Sequence, residues 1–390
     1  MASKAEIRND YRKLMRSTNP PYEVGSLKSS LEELLGEASN ETDKSYVLMQ
    51  CGMHSHIEGR IDEAFERFEK AFQLGRSTQA LINTLVCSRK IPAGSKTSAL
   101  QKMAVVHVEK LEDSTEKAEV YDALCHNAGN QKKFSTAGRF GRESLRIKDA
   151  IQPIGKPLID RPRPQFNYED RSRNVISFSL YGDKERYVRV AIENAKAVQY
   201  VYPGWSCRFT VDQSVPVPVL DQLSSHGAQI RISPDLHDPA LNTGLFWRFT
   251  VASDPGVDFF LVRDADSLIN VREKVAVDEW IASDRDFHVM RDFYSHSELI
   301  LAGLWGGVAG RIPNIVGQIN QWHKDWPSDQ LGVHNHDQLF LRKHIWPTIK
   351  SSLMQHDSAF RAEGTRNFPS VGVMQPVRHV GQDMGIFLNR

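Results

Sequence analysis

Two acidic side chains, Asp264 and Asp266, follow closely on a short apolar run made of Phe259, Phe260, Leu261 and Val262. Four such residues in a row read as a buried strand. At a strand end, side chains need not keep alternating between faces, so both carboxylates can converge on one hard cation and share it with phosphate oxygens. That is the chemistry of a metal-held nucleotide. A solvated strand end is the competing reading, and it leaves unexplained why two acids follow four apolar residues.

The elements needed to position this pair alternate along the chain. Residues 174–180 are β-prone and mostly apolar, and Tyr181, Gly182 and Asp183 turn the chain into a helix that Asp183 can cap. Tyr187, Val190, Ala191, Ala195 and Val198 recur at helical spacing, and Pro203 and Gly204 end the element. A second strand is read at 207–211, a short helix at 218–225, a third strand at 229–232, and a helix at 241–252 that feeds the acidic strand. This succession predicts an α/β domain with a mostly parallel sheet and its ligand at the carboxyl ends of the strands. Further on, Asn270 with Glu273 forms a capping box ahead of a helix. Residues 287–290, 299–304 and 353–355 read as strands and 313–322 and 337–346 as helices, while Gly306 and Gly307 mark a close backbone approach. The tail at 368–390 can fold over the site.

An apolar strand ending in Asp-x-Asp, preceded by strand–helix units and followed by a Gly-rich segment, resembles the metal-binding motif of glycosyltransferases with the GT-A fold. The local sequences RDADS at 263–267, FHVMRD at 287–292 and LAGLWGG at 301–307 are similar to those of bacterial glycosyltransferase-like proteins, and the resemblance covers about residues 174–382. It implies a Rossmann-like GT-A domain in which Asp264 and Asp266 hold Mn2+ or Mg2+, and the cation grips the diphosphate of a UDP- or GDP-sugar. Asp266 is then the firmer ligand, and Asp264 also touches the ribose. A late histidine, here His356, supplies a third ligand and favours manganese, with Asp357 as the alternative at the same turn. Asp337 with Gln338 resembles the acidic pair near the sugar, where a carboxylate serves as general base on the acceptor or only positions the sugar. The plainer alternative is that Asp337 caps its helix. Arg248 is placed to offset charge on the leaving nucleotide, unless it is an ordinary exposed helix arginine. Ser179, Leu180 and Tyr181 are to meet the nucleoside, with Tyr181 either stacked on the base or simply packed. Ala265 belongs to the donor site between the two metal ligands. Gly303, Trp305 and Gly306 line the sugar pocket, Trp305 as a stacking face or as a core residue. His288, Arg291, Asp292 and His296 form a dense polar cluster read as a pocket wall.

Upstream, the texture is helical. Residues 49–74 carry Gly52, Gly59, Ala64, Phe68 and Ala71, close to the small–large–small pattern of a tetratricopeptide repeat, whose period is about 34 residues. A weaker copy at 121–149 places Leu124, Phe134, Ala137 and Ser144 at matching offsets, with Gly141 where an aromatic is expected. Between them, 78–111 is helical but interrupted by Pro92, Ala93 and Gly94, and a short amphipathic piece precedes everything at 27–35. Two or three repeats make a small helical domain with a face available to an acceptor protein or polysaccharide, or to a second copy in a homodimer. Pro153, Pro157, Pro162 and Pro164 mark an extended linker. The expected division is a helical domain at 1–150, a linker at 151–170 and a GT-A domain at 171–390.

The whole chain restricts the remaining classes. Its 390 residues suffice for two cores, and 40% hydrophobic with 25% charged residues is ordinary for a soluble globular protein. A formal net charge of +1 points neither to nucleic acid nor to an anionic membrane. No apolar run approaches the ~20 residues of a membrane span, and the N-terminus is too charged for a secretory signal, so a cytoplasmic protein is expected. The four cysteines form no CxxC pair, which leaves small buried hydrophobes rather than zinc ligands or disulfides. Two other functions compete with sugar transfer. One is a non-catalytic, repeat-based interaction protein with a degenerate transferase domain. The other is a haloacid-dehalogenase-type phosphatase, whose nucleophile motif the Asp-x-Asp-Ser also resembles; against it, the motif comes after several strand–helix units and no downstream Lys followed by an acidic pair is evident.

Overall fold

In the computed structural model the described residues are 35, 36, 38, 40–91, 94–233, 238, 241, 243–327, 335–370 and 379–384. The amphipathic piece at 27–35, apart from its last residue, and most of the tail lie outside them. Two compact units divide the chain, Met1–Ile151 and Gln152–Arg390.

Small residues at regular intervals let helices of the first unit pack closely. Its helices are α1 (Glu41–Ile57), α2 (Ile61–Gly75), α3 (Thr78–Ser88), α4 (Ser95–Val108), α5 (Thr115–Asn130) and α6 (Phe134–Ala150). Asn40 starts α1 by accepting from the Asp43 N–H at 2.8 Å. A Cβ on Gly52 would lie 2.6 Å from the Phe68 ring, so glycine is what allows α1 and α2 to pack around that phenyl group. Ala64 and Ala71 are fully buried beside it. In the second pair Leu124, Ala137 and Ser144 are buried, but Phe134 is exposed, because it opens α6 instead of filling an interhelical gap. Near Gly141, where the aromatic was expected, polar contacts bind α5 to α6. Asp122 accepts from Ser144 Oγ and from the buried Lys148 Nζ, both at 2.6 Å. All four cysteines are buried, and none is in a disulfide.

Among the described residues of the second unit, seven strands form one sheet in the order β3-β2-β1-β4-β6-β5-β7. The strands are β1 (Asn174–Leu180), β2 (Ser206–Val211), β3 (Gln229–Ile232), β4 (Phe259–Val262), β5 (Phe287–Arg291), β6 (Trp305–Val308) and β7 (Leu353–Asp357). β6 runs antiparallel to both its neighbours, and the other pairings are parallel. From β1 the chain moves outward through β2 to β3 and then returns to place β4 on the opposite side of β1. The carboxyl ends of β1 and β4 therefore flank the switch point where sheets of this kind bind ligands. β1 and β4 are buried along their whole length, as their apolar composition requires. Helices α7 (Glu185–Val201), α8 (Val217–Ser225), α9 (Val271–Ile281) and α10 (Ile315–Asp325) accompany the sheet, with short helical pieces α11 (His336–Phe340) and α12 (Trp346–Ile349) before β7. No helix among the described residues is long and apolar enough to cross a membrane.

Several local expectations are corrected. The stretch read as a helix at 241–252 is a run of 3-10 turns, Thr243–Ser253, rich in aromatic and β-branched residues that lose side-chain freedom in an α-helix. Residues 299–304 form no strand. The Arg291 guanidinium binds the carbonyls of Glu298 and Leu299, which are thus drawn out of any ladder. The helix expected over 337–346 is broken by a wider π turn at Leu341–Ile345. Asp183 does not cap α7; Lys184 holds the cap position without a side-chain bond. Glu273 does not return its side chain to Asn270 but is buried against Tyr202 and Arg263. Nor is the proline-rich stretch a free spacer: Arg163 lies over the rings of Phe259 and Trp280, and Phe166 packs on Trp205.

Candidate functional site

At the carboxyl end of β4, Asp264 and Asp266 separate into two arginine-held carboxylates. Arg248 donates through Nη1 to Asp264 Oδ1 and through Nη2 to Asp337 Oδ2 at 2.9 Å. Arg186 donates to Asp266 Oδ2 at 2.6 Å and to Asp383 Oδ2 at 2.7 Å. Neither Asp264 Oδ2 nor Asp266 Oδ1 has a hydrogen-bond partner among the described residues. The Asp264 side chain is 43% exposed whereas Arg248 is 5% exposed, so the carboxylate faces outward from a buried cation.

The 3-10 run explains how Arg248 is aimed. Its backbone N–H leaves the helical ladder and donates to Ser179 Oγ at the end of β1, at 3.0 Å. The side chain crosses beneath Asp264, where Nη1 also meets the Arg263 carbonyl at 3.3 Å. Burial opposes the Arg248 charge, but Asp264 and Asp337 hold its pKa above the usual arginine value. Asp337 is buried near the start of α11, preceded by Asn335 at φ 61°, and its Oδ1 accepts from the Gln338 N–H at 2.9 Å. Burial raises its pKa, partly offset by Arg248. Asp266 is likewise raised, by burial first and then by the charge of Asp264.

Gly303 lies directly against Asp264. A Cβ there would run into the Asp264 carboxylate and close on its backbone N at 3.0 Å. Gly303→Ala is therefore expected to push Asp264 off Arg248 and to destabilise the second unit by about 1–3 kcal/mol, the range for overpacking. Thermal denaturation checks this, and a wild-type midpoint would show that the carboxylate moves freely aside.

The structure thus brings together Ser179, Arg248, Gly303, Asp264, Asp266, Asp337 and, beside Asp337, Gln338. Tyr181 follows β1 with its ring edge-on to Trp247 at 5.9 Å, and burial pushes its hydroxyl up to about 12. Other expected residues are placed elsewhere. Ala265 is buried among the core residues behind the strand end. Trp305 is fully buried, edge-to-face with Phe260 and Phe249, and has no face to offer a sugar. Gly306 lines no pocket either: a Cβ would strike the Phe260 carbonyl at 2.5 Å, so it serves the β4–β6 pairing. His356 is fully buried and spent on other partners. Its Nδ1 lies 2.8 Å from His288 Nε2 and its Nε2 lies 3.2 Å from Glu279 Oε2. Asp357 also turns inward, accepting from the Phe360 N–H at 2.7 Å. Among the described residues, no three His, Cys, Asp or Glu side chains form a metal-ligating group. The expected wall of His288, Arg291, Asp292 and His296 is internal packing, with Asp292 tied to Arg272 and to the Val380 N–H.

Two participants were not read from the sequence, Arg186 and Asp383. Arg186 lies in the first turn of the helix after β1, a position that a parallel sheet delivers to the strand carboxyl ends, and that signal was available. Asp383 reaches Asp266 only through the fold of the tail, where Ser267 bridges to Asp383 and Met384 N–H donates to the Asp266 carbonyl at 2.8 Å.

No protein-family model matches the chain, and no curated protein matches it. Among solved structures, a mutant O-GlcNAc transferase from Thermobaculum terrenum is similar over 67% of this chain and 47% of its own length, at 12% identity and a TM-score of 0.33. The chain spans about half the length of that protein.

Proposed function

We propose that the second unit is a metal-dependent glycosyltransferase that moves a sugar from a nucleotide sugar to an acceptor. The observation that supports this most is the placement of Asp264 and Asp266 at the switch point of the sheet, each with one oxygen held by an arginine and the other without a hydrogen-bond partner among the described residues. In the hydrogen bonds made between described residues, four carboxylates (Asp264, Asp266, Asp337, Asp383) face two guanidiniums (Arg186, Arg248), so four minus two leaves a formal charge of −2 among these six side chains. A divalent cation balances that charge, and oxygen donors fit Mg2+ or Mn2+. With His356 committed elsewhere, nothing in this donor set prefers manganese.

When bound, such a cation neutralises the departing diphosphate. The chain itself supplies position and counter-charge. Arg186, 43% exposed in the first turn of α7, can turn a donor toward incoming phosphate oxygens. Arg248 holds Asp264 in place. Asp337 has both oxygens engaged and is buried, so we assign it to positioning Arg248 and not to proton abstraction from an acceptor. The motif also ends the fourth strand in chain order, which argues against the phosphatase reading, where it would end the first.

Thermal-shift measurements on the full chain with UDP-, GDP-, CMP- and dTDP-sugars, each with and without Mn2+ or Mg2+, test the proposal. One nucleotide class should stabilise the protein only when metal is present, by roughly 2.7 kcal/mol at a hundredfold excess over Kd. Silence across the panel would sink it and favour the non-catalytic interaction protein.

A further inference from the structure

One face of β1, β2 and β3 carries polar side chains where a sheet packed under other structure is ordinarily apolar. The parallel register sets Ser177 beside Arg208 and Arg208 beside Gln229, and two residues on it sets Thr210 beside Arg231. Period two puts all of these on one face, while Ile176, Phe178, Phe209 and Val211 pack in the core on the other. The 3-10 run and the turn after it cover the polar face and leave a cavity of about 210 Å³, lined by Ser177, Arg208, Thr210, Arg231, Thr250 and Asp254.

The cavity is built around a shared carboxylate. Asp254 Oδ2 accepts from Arg208 Nη1 at 2.7 Å and from Arg231 Nη2 at 2.6 Å, and its Oδ1 accepts from the Gly256 N–H at 2.8 Å. Both oxygens are thereby occupied, and two guanidiniums against one carboxylate leave a formal charge of +1. Arg208 is 6% exposed; it spends Nε on Gln229 and Nη1 on Asp254, which leaves Nη2 for the cavity. Arg231 engages Asp254 through Nη2 and keeps its other donors. At the inner wall Ser177 is 1% exposed, and its Oγ has no hydrogen-bond partner among the described residues. A buried hydroxyl in that condition is costly unless something occupies the space beside it.

We propose that this cavity binds phosphate, free or as a small monoester, with Arg208 and Arg231 as its fork of charged donors and Ser177 Oγ at its inner end. The volume lies below the roughly 300–1,000 Å³ of pockets for larger ligands, so little beyond the phosphate is enclosed. The cavity is distinct from the Asp264 site. Ser177 pairs with Val262, two residues before Asp264, and the charge here is positive where the Asp264 site is negative.

Isothermal titration of the full chain with inorganic phosphate and, separately, with glycerol 3-phosphate tests this without any divalent cation. Saturable 1:1 binding is expected, weakened at least about tenfold in Arg231→Gln and in Ser177→Ala and unchanged in Asp266→Asn. The Arg231 side chain is 58% exposed, so Arg231→Gln leaves the fold intact and keeps the test decisive. Tighter binding of the ester would assign the site to a phosphomonoester, and tighter binding of inorganic phosphate to the free ion. No saturable binding of either probe, wild-type affinity in both cavity variants, or loss of binding in Asp266→Asn would each overturn the proposal.

Discussion

Asp266→Asn is expected to abolish metal-dependent stabilisation by the donor nucleotide and to lower transfer by at least about 10²–10³-fold, while the protein folds as well as or better than wild type. The two halves of this outcome have one cause. Asp266 is largely buried beside Asp264, and its pKa is raised by burial and by that neighbouring charge, so the ionised carboxylate works against the folded state. Asparagine removes the charge, keeps an oxygen for Arg186 and relieves the repulsion. The sign in pH follows. A group whose folded pKa lies above its unfolded value, about 3.9 for Asp, contributes stability that is full below that value and is lost as pH rises through the folded pKa. The wild type should therefore lose stability over that interval and the asparagine variant should lose less. Activity with metal dependence intact in Asp266→Asn would refute the site.

Arg248→Met is expected to give the largest loss of stability of any single substitution at the site. It leaves Asp337 buried without its cation and deprives Asp264 of its anchor, and removing one partner of a buried pair typically costs about 3–5 kcal/mol. For a unit of this size that corresponds to a fall in Tm on the order of 10 °C. The loss should be smaller at pH 5 than at pH 8, because Asp337, already raised by burial, then takes up a proton more readily in the folded variant than in the unfolded chain. Adding Asp337→Asn should restore part of the stability, since the second change removes the stranded charge. A cost below about 1 kcal/mol, or no recovery in the double variant, would show that the arginine is not the keystone of the pair.

Much of the scaffold was legible because its signals are local. The apolar runs that became β1 and β4 and the Asn270 cap depend on neighbours within a turn or a strand, and the glycine and alanines of α1 and α2 on the adjoining helix. Where a reading failed, the deciding partner was far along the chain. The sequence pattern points Trp305 and Gly306 to a sugar pocket, but β4 lies against them at Phe260 and turns both into packing residues. His356 stands where a late ligand is expected, but Glu279 and His288, 77 and 68 residues away, take both of its nitrogens.

By itself, the amino-acid order determined that two carboxylates would stand at the end of a buried strand within an alternating α/β unit, after a helical one. Composition and period suffice for that, because burial and strand or helix spacing are set within a few residues. Only the tertiary structure decided what those carboxylates meet. Arg248 from the preceding 3-10 run, Asp337 at 89 residues from Arg248, Arg186 at 80 residues from Asp266 and Asp383 from the tail converge because the sheet reverses direction between β1 and β4. A buried charge must find its partner wherever the fold places one, and that placement is a property of the assembled sheet and not of any segment in it.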